Sequence, residues 1–191
     1  MMVKLDKIYT KAGDMGLTRL VTGEEVAKWS PRVESYGAVD ETNAAIGLAR
    51  LYAEGAMDEG LARIQHDLFD LGADLATPER DTPLPFQPLR IVPAQVARLE
   101  TELDAMTERL APLTSFVLPA GSPLAAHLHG ARTIARRAER LIAALAHTEG
   151  EKVAPEALAY ANRLSDWLFC AARVANDDGR ADVLWVPGAN R

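Results

Sequence analysis

A single cysteine, Cys170, stands among 191 residues, so an internal disulfide is excluded and a reducing setting such as the cytosol is expected. Positive charge is also in deficit. Lys and Arg number 21 against 27 Asp and Glu, a net charge of −6, which argues against bulk electrostatic binding to nucleic acid. No apolar run approaches the ~20 residues that cross a bilayer, and no membrane association is expected. Lys4, Asp6 and Lys7 break up the N-terminus, so no signal peptide is expected either. The four histidines, His66, His127, His129 and His147, offer neither an i, i+4 pair nor a His-Glu-x-x-His spacing, and no metal site held by the protein alone is expected. No Ser-His-Asp or Cys-His arrangement can be assigned, and Cys170 reads as a packing residue. Internal repeats, low-complexity tracts and linkers are missing too, so residues 1–191 read as one domain, long enough to bury a good core.

What is present is mostly helical periodicity. Residues 1–29 are the exception: Gly13, Gly16 and Gly23 among Thr and Asp predict a turn-rich segment with at most short strands. Ser30-Pro31 predicts a helix start, and the helix is expected to reach about Ala53. Its predicted inner face is Val33, Tyr36/Gly37, Asp40, Asn43/Ala44, Gly47 and Leu51, which makes Asp40 an inward carboxylate in need of a partner. A second helix, roughly 58–76, carries Leu61, Ile64, Leu68, Leu71 and Leu75 at steps of three and four. A long proline-rich connection leads to a third helix near Pro93, with Val96, Leu99, Leu103, Met106 and Leu110 inward and Pro112 as its stop. The fourth enters at Ser122-Pro123 and runs towards Gly150 on a stripe of Leu124, Leu128, Ala131, Ala135, Ala138, Ile142 and Leu145. The fifth runs from about Pro155 to Asn176, before a turn at Asp177-Asp178-Gly179 and a short apolar tail. Five such helices predict an all-α, five-helix bundle with an irregular N-terminal segment.

The fourth helix also concentrates charge. Arg132, Arg136 and Arg140 recur at steps of four and share a face beside the apolar stripe; Arg137 broadens it, and Glu139 is placed to steady Arg136. Guanidinium forks match phosphate oxygens, but by spacing alone a solvated, salt-bridged face, which is what most arginine runs are, is favoured. The segment TKAGDMG (10–16) could cradle a phosphate or form a plain turn. Phe116-Val117-Leu118-Pro119, just before the fourth helix, could be core or the wall of an apolar ligand pocket.

Together, the segments IYTKAGDMG (8–16), Lys28, RVESYGAVDETNAAIG (32–47), QHDLFDLGADLATP (65–78), FVLPAGS (116–122), ARTIARRAER (131–140) and YANRLSDWLFCAARVAN (160–176) resemble the PduO-type family of ATP:corrinoid adenosyltransferases, in the family's order and over nearly the whole chain. The resemblance implies a five-helix bundle that assembles as a homotrimer with active sites between subunits. It implies transfer of the 5′-deoxyadenosyl group of ATP, with Mg²⁺, to the Co(I) of a reduced cobalamin or other corrinoid. The alternative is a non-catalytic escort that delivers adenosylcobalamin to a user enzyme. A cobalt reductase and an adenosylcobalamin-dependent enzyme are the implied partners. By motif match, Thr10, Lys11, Ala12, Gly13, Thr18, Arg19 and Lys28 would contact ATP from the loop side. Arg136, Arg137, Ala138, Glu139 and Arg140 would contact it from the helix side, with Asn162 from the fifth helix. Phe116 would face the corrinoid, and Asp40 would pair with Arg132 across the interface; Arg136, Phe116, Asp40 and Arg132 are the residues the resemblance makes essential to turnover. The chain departs from the family's usual pattern at Ala12 and Ala120, and Ala120 would restrict the turn if its glycine counterpart needs positive φ.

Overall fold

The structure, a computed structural model, describes residues 8–80 and 83–191. Its elements in chain order are β1 (Leu17–Arg19), β2 (Glu25–Ala27), α1 (Pro31–Arg50), α2 (Gly55–Leu75), α3 (Pro93–Thr107), α4 (Pro123–Ala146) and α5 (Pro155–Ala175). Four of these helices begin on proline, whose preset φ suits the first turn and whose missing N–H would have had no helical partner there. Ser30 and Ser122 cap α1 and α4 by accepting the amides of Val33 and Ala125. Each such cap is worth about 1 kcal/mol. On α3, Gln95 reaches back to accept the Val92 amide at 2.9 Å.

Packing follows the three-four stripes. α4 lies between α1 and α5, α2 lies against α1, and α3 lies against α5. Leu61, Ile64, Leu68, Leu71 and Leu75 of α2 are all buried, as are Leu128, Ala131, Ala135, Ala138, Ile142 and Leu145 of α4. The alanines of α4 leave no bulk between it and its neighbours, so it can sit at the centre of the bundle. On α3 only Leu99 is fully buried, with Val96, Leu103 and Met106 packed at the core's edge. That helix ends at Thr107, short of Pro112, and α4 ends at Ala146, short of Gly150, whose φ of +77° serves the following turn.

The buried face of α1 differs from the one expected. It consists of Arg32, Ser35, Ala38, Val39, Thr42, Asn43, Ile46 and Ala49, while Asp40 is exposed. The predicted face was rotated by about one residue, because the bundle tolerates polar side chains that bond locally. Ser35 and Thr42 donate to the carbonyls of Arg32 and Ala38 at 2.7 and 2.8 Å, and so bury no unpaired hydroxyl.

At the chain's ends two short pieces of β structure form. β1 and β2 pair antiparallel with Thr18 opposite Val26. The tail bonds back onto the run before α4: the Leu118 amide donates to Val183 O and the Trp185 amide to Phe116 O, both at 2.8 Å.

Candidate active site

The Phe116 segment is held open rather than buried. Its backbone is committed to the tail, and Ser115 Oγ donates to Trp185 O at 2.6 Å. The Phe116 ring is 77% exposed and leans on Trp185 with centroids 6.0 Å apart. The core reading of this apolar run is therefore excluded. Phe116 instead walls a cleft of about 470 Å³ with Leu113, Ser115, Val117, Arg132 and Phe169. Neither Trp185 nor Phe169 was legible as a site residue, because only the fold brings the tail and α5 to this place.

The turn between Phe116 and α4 has one strained point, and it is Gly121, at φ +107°. A methyl group there would come within 2.2 Å of Asn176 Oδ1. Ala120 has no positive φ, so its departure from the family's glycine puts no strain on the turn. Asn176 in turn donates to Ala120 O and Asp182 Oδ1, at 3.2 and 3.3 Å. Asp182 Oδ2 accepts from the buried Arg173 at 2.7 Å, which ties the tail to α5.

Arg132 opens the charged face of α4 at this cleft. Its Nε is buried without a hydrogen-bond partner. Burial pushes its guanidinium pKa down, and the nearby positive charge of Arg136 adds to this. Three residues earlier, His129 is 1% exposed with both ring nitrogens unpartnered, and its ring faces Phe169 at 6.1 Å. Burial, then Arg132, lower its pKa against the opposing pull of Asp182, which favours the uncharged ring.

Farther along α4, Arg136 and Arg140 are exposed, and Arg140 Nη1 donates to the Arg136 carbonyl at 3.1 Å. Arg137 forms an ion pair with Glu41 of α1. Ala138 belongs to the core, so only its neighbours present side chains outward. Glu139 does not steady Arg136 as expected: its Oε1 accepts from Asn162 Nδ2 at 2.7 Å, and Asn162 Oδ1 accepts from Arg163 at 2.5 Å. Cys170 is partly buried, and burial raises its thiol pKa, in keeping with a packing role.

The N-terminal loop forms a second cationic centre. Lys11 holds a φ of +63°, and the amides of Asp14 and Gly16 bond to Lys11 O and Gly13 O at 3.3 and 3.2 Å. Thr10 Oγ1 accepts the Ala12 amide at 3.4 Å. Lys28, just after β2, lies over the loop, because a methyl at Gly13 would come within 2.8 Å of its Nζ. Thr18 and Arg19 lie on β1, with Arg19 3.8 Å from Glu25. This hairpin is tied to the end of α2, where the Val21 amide donates to Ala76 O at 3.1 Å. Among the described residues, no hydrogen bond or ion pair joins residues 10–28 to residues 132–140. The two cationic centres are separate within one chain.

Comparison with known proteins agrees with this geometry. A family profile described as cobalamin adenosyltransferase matches residues 8–175. The chain is 50% identical over 195 residues to a corrinoid adenosyltransferase of Mycobacterium tuberculosis, across 100% of this chain and 98% of that protein. It is 46% identical over 191 residues to a corrinoid adenosyltransferase of Bacillus subtilis, across 96% of this chain and 94% of that one. Its fold matches, with a TM-score of 0.84 and 38% identity, a histidine-for-phenylalanine variant of the PduO-type ATP:corrinoid adenosyltransferase of Lactobacillus reuteri complexed with cobalamin and ATP; the match covers 95% of this chain and 97% of that one. With five helices in the family's order and the aromatic cleft beside its arginine row, this chain belongs to the cobalamin adenosyltransferase family.

Proposed function

We infer that the protein transfers the 5′-deoxyadenosyl group of ATP to the cobalt of a reduced corrinoid, releasing inorganic triphosphate. The observation that carries this reading is Arg132, which lines the Phe116 cleft and begins the row that continues through Arg136 and Arg140. A helix rises ~1.5 Å per residue, so this row extends roughly 12 Å away from the aromatic wall. An apolar macrocycle and a polyphosphate would thus be served by adjoining surfaces.

Co(I) supplies an electron pair to the 5′ carbon, the carbon–oxygen bond to the triphosphate breaks, and the leaving group takes that bond's electrons. The nucleophile carries no proton, so no general base is required. The protein's part is to align the 5′ carbon with the cobalt and to meet the charge that gathers on the triphosphate with fixed guanidinium groups. Phe116 and its neighbours cover the corrinoid face and keep water and a lower axial ligand away from the cobalt. Mg²⁺ would arrive on the nucleotide's phosphate oxygens; the arginine-rich row fits an anion so accompanied.

The completed site is between subunits of a homotrimer, with Thr10, Lys11, Gly13, Thr18 and Lys28 of one protomer facing the arginine helix of the next. The separation of the two half-sites, the exposed Asp40 and the unpartnered Arg132 Nε support this assembly. A cytoplasmic location, a reductase that supplies Co(I) and an enzyme that takes up adenosylcobalamin complete the reading. The test is incubation with ATP, Mg²⁺ and chemically reduced cobalamin beside a corrinoid lacking the lower base. Adenosylated product and triphosphate are expected; no product from either corrinoid would overturn the assignment.

A further inference from the structure

A chain of charges runs from the N-terminal hairpin to the interior, through Glu24, Arg80, Glu151 and Arg32, to none of which the family resemblance assigns a role. Arg32 is 3% exposed at the start of α1. Its Nη1 donates to Leu75 O at 2.6 Å, at the last turn of α2. Its Nη2 donates to Glu151 Oε2 at 2.5 Å, and Nε donates to the same oxygen at 3.2 Å. Glu151, in the α4–α5 connection, also accepts from Arg80 Nη1 at 3.4 Å. The other end of Arg80 reaches the hairpin turn, where Nη2 donates to Glu24 Oε2 at 3.0 Å and Oε1 at 3.4 Å. Glu24 O in turn accepts the Leu20 amide at 2.9 Å and so closes the β1–β2 turn.

We propose that Arg80 and Glu151 are positioning residues for the nucleotide, fixing the β1–β2 hairpin, and with it Thr18, Arg19 and Lys28, against the bundle. This rests on the assignment of that loop to ATP. Besides the ion pair and the burial of Leu20, the Val21–Ala76 backbone bond is the only hydrogen bond among the described residues that ties the hairpin turn to the end of α2. A two-stranded ribbon of three-residue strands has little stability of its own, so its orientation depends on such anchors. Arg80 is suited to the task because one fork bridges two carboxylates from separate segments. Glu151 is suited because the buried Arg32 holds it in place, so the anchor's far end is rigid. None of the four side chains need touch the nucleotide.

The test compares Arg80→Gln, Arg80→Lys and Glu24→Gln in the full-length protein, because Glu151→Gln would strand the buried Arg32 and risk the fold itself. Hydrogen exchange at the Leu20 and Val21 amides reads the anchoring without reference to activity. For Arg80→Gln and Glu24→Gln, exchange at these two amides should quicken while the core helices stay unchanged. KM for ATP should rise about fivefold, the scale of partly exposed ion pairs, with kcat and the corrinoid KM unchanged. Arg80→Lys should recover part of both effects. Unaltered exchange, or an equal rise in both KM values, would overturn the proposal. If the unmodified protein formed no adenosylated corrinoid, the functional reading would fall, and exchange alone would decide the anchoring.

Discussion

The side-chain carbonyl of Asn176 accepts the backbone amide of Ser122 at 2.9 Å, so the residue that ends α5 sets the entry of α4. The same side chain closes off the space beside Gly121. Replacing Asn176 with alanine removes this bond and the one to Ala120 O, and leaves the freed backbone groups part-buried. A loss of about 2 kcal/mol is expected, measurable as a lower denaturant midpoint. Gly121→Ala should cost at least as much, since its φ is unsuited to a side chain and Asn176 would have to move.

Phe116→Ala should barely alter stability, because the ring is already exposed. Turnover should fall more for cobalamin than for a corrinoid without the lower base. The two kcat/KM ratios, measured beside thermal melting, check both halves; an equal fall on both corrinoids would remove ligand displacement from the account.

Arg136 is exposed and its side chain has no carboxylate partner among the described residues, so Arg136→Ala should leave the fold intact. If it meets charge formed on the triphosphate, kcat/KM for ATP should drop by about 10²–10³. Unchanged steady-state kinetics would remove it from the phosphate site.

Asp40 is exposed and forms no ion pair among the described residues. Asp40→Asn should weaken the proposed trimer and shift sedimentation towards smaller species at low protein concentration. Arg132→Lys should do the same, and in addition impair corrinoid use because Arg132 also lines the cleft. A sedimentation profile unaffected by either substitution would rule out the pairing.

Glu151 gives the pH dependence. Burial alone would raise its carboxyl pKa, but the hydrogen bonds and charges of Arg32 and Arg80 outweigh that and hold it below the ordinary glutamate value. A carboxylate with a lowered pKa in the folded protein contributes stability above its unfolded pKa of ~4.3 and loses it as pH falls through the lower folded value. Hydrogen exchange at the hairpin should therefore quicken, relative to the core helices, between about pH 4 and lower values. A profile flat over that range would show that the anchor does not depend on this charge.

Much of the bundle was legible because burial at steps of three and four is a property of consecutive residues. The stripes of α2 and α4, the serine-proline starts of α1 and α4, and the turn at Asp177-Asp178-Gly179 follow from local chemistry. The arginine row was equally visible, since a helix places Arg132, Arg136 and Arg140 on one face wherever it lies. What the residues alone left undecided was which side of α1 turns inward. Polar residues that satisfy themselves locally can be buried, and Asp40 lies outside for reasons no periodicity contains.

The aromatic cleft is the opposite case. Phe116 and Trp185 are far apart in the chain, and their meeting depends on a strand pairing that neither segment specifies by itself. The bond partners of Glu139, the orphaned nitrogens of Arg132 and His129, and the reach from Arg32 to Glu24 likewise arise only when separate elements pack. The sequence by itself determined the helices, the cationic row and the family; the tertiary structure decided which charges are spent within the chain and which remain free for a ligand or a neighbouring subunit, because pairing is a matter of distance in space.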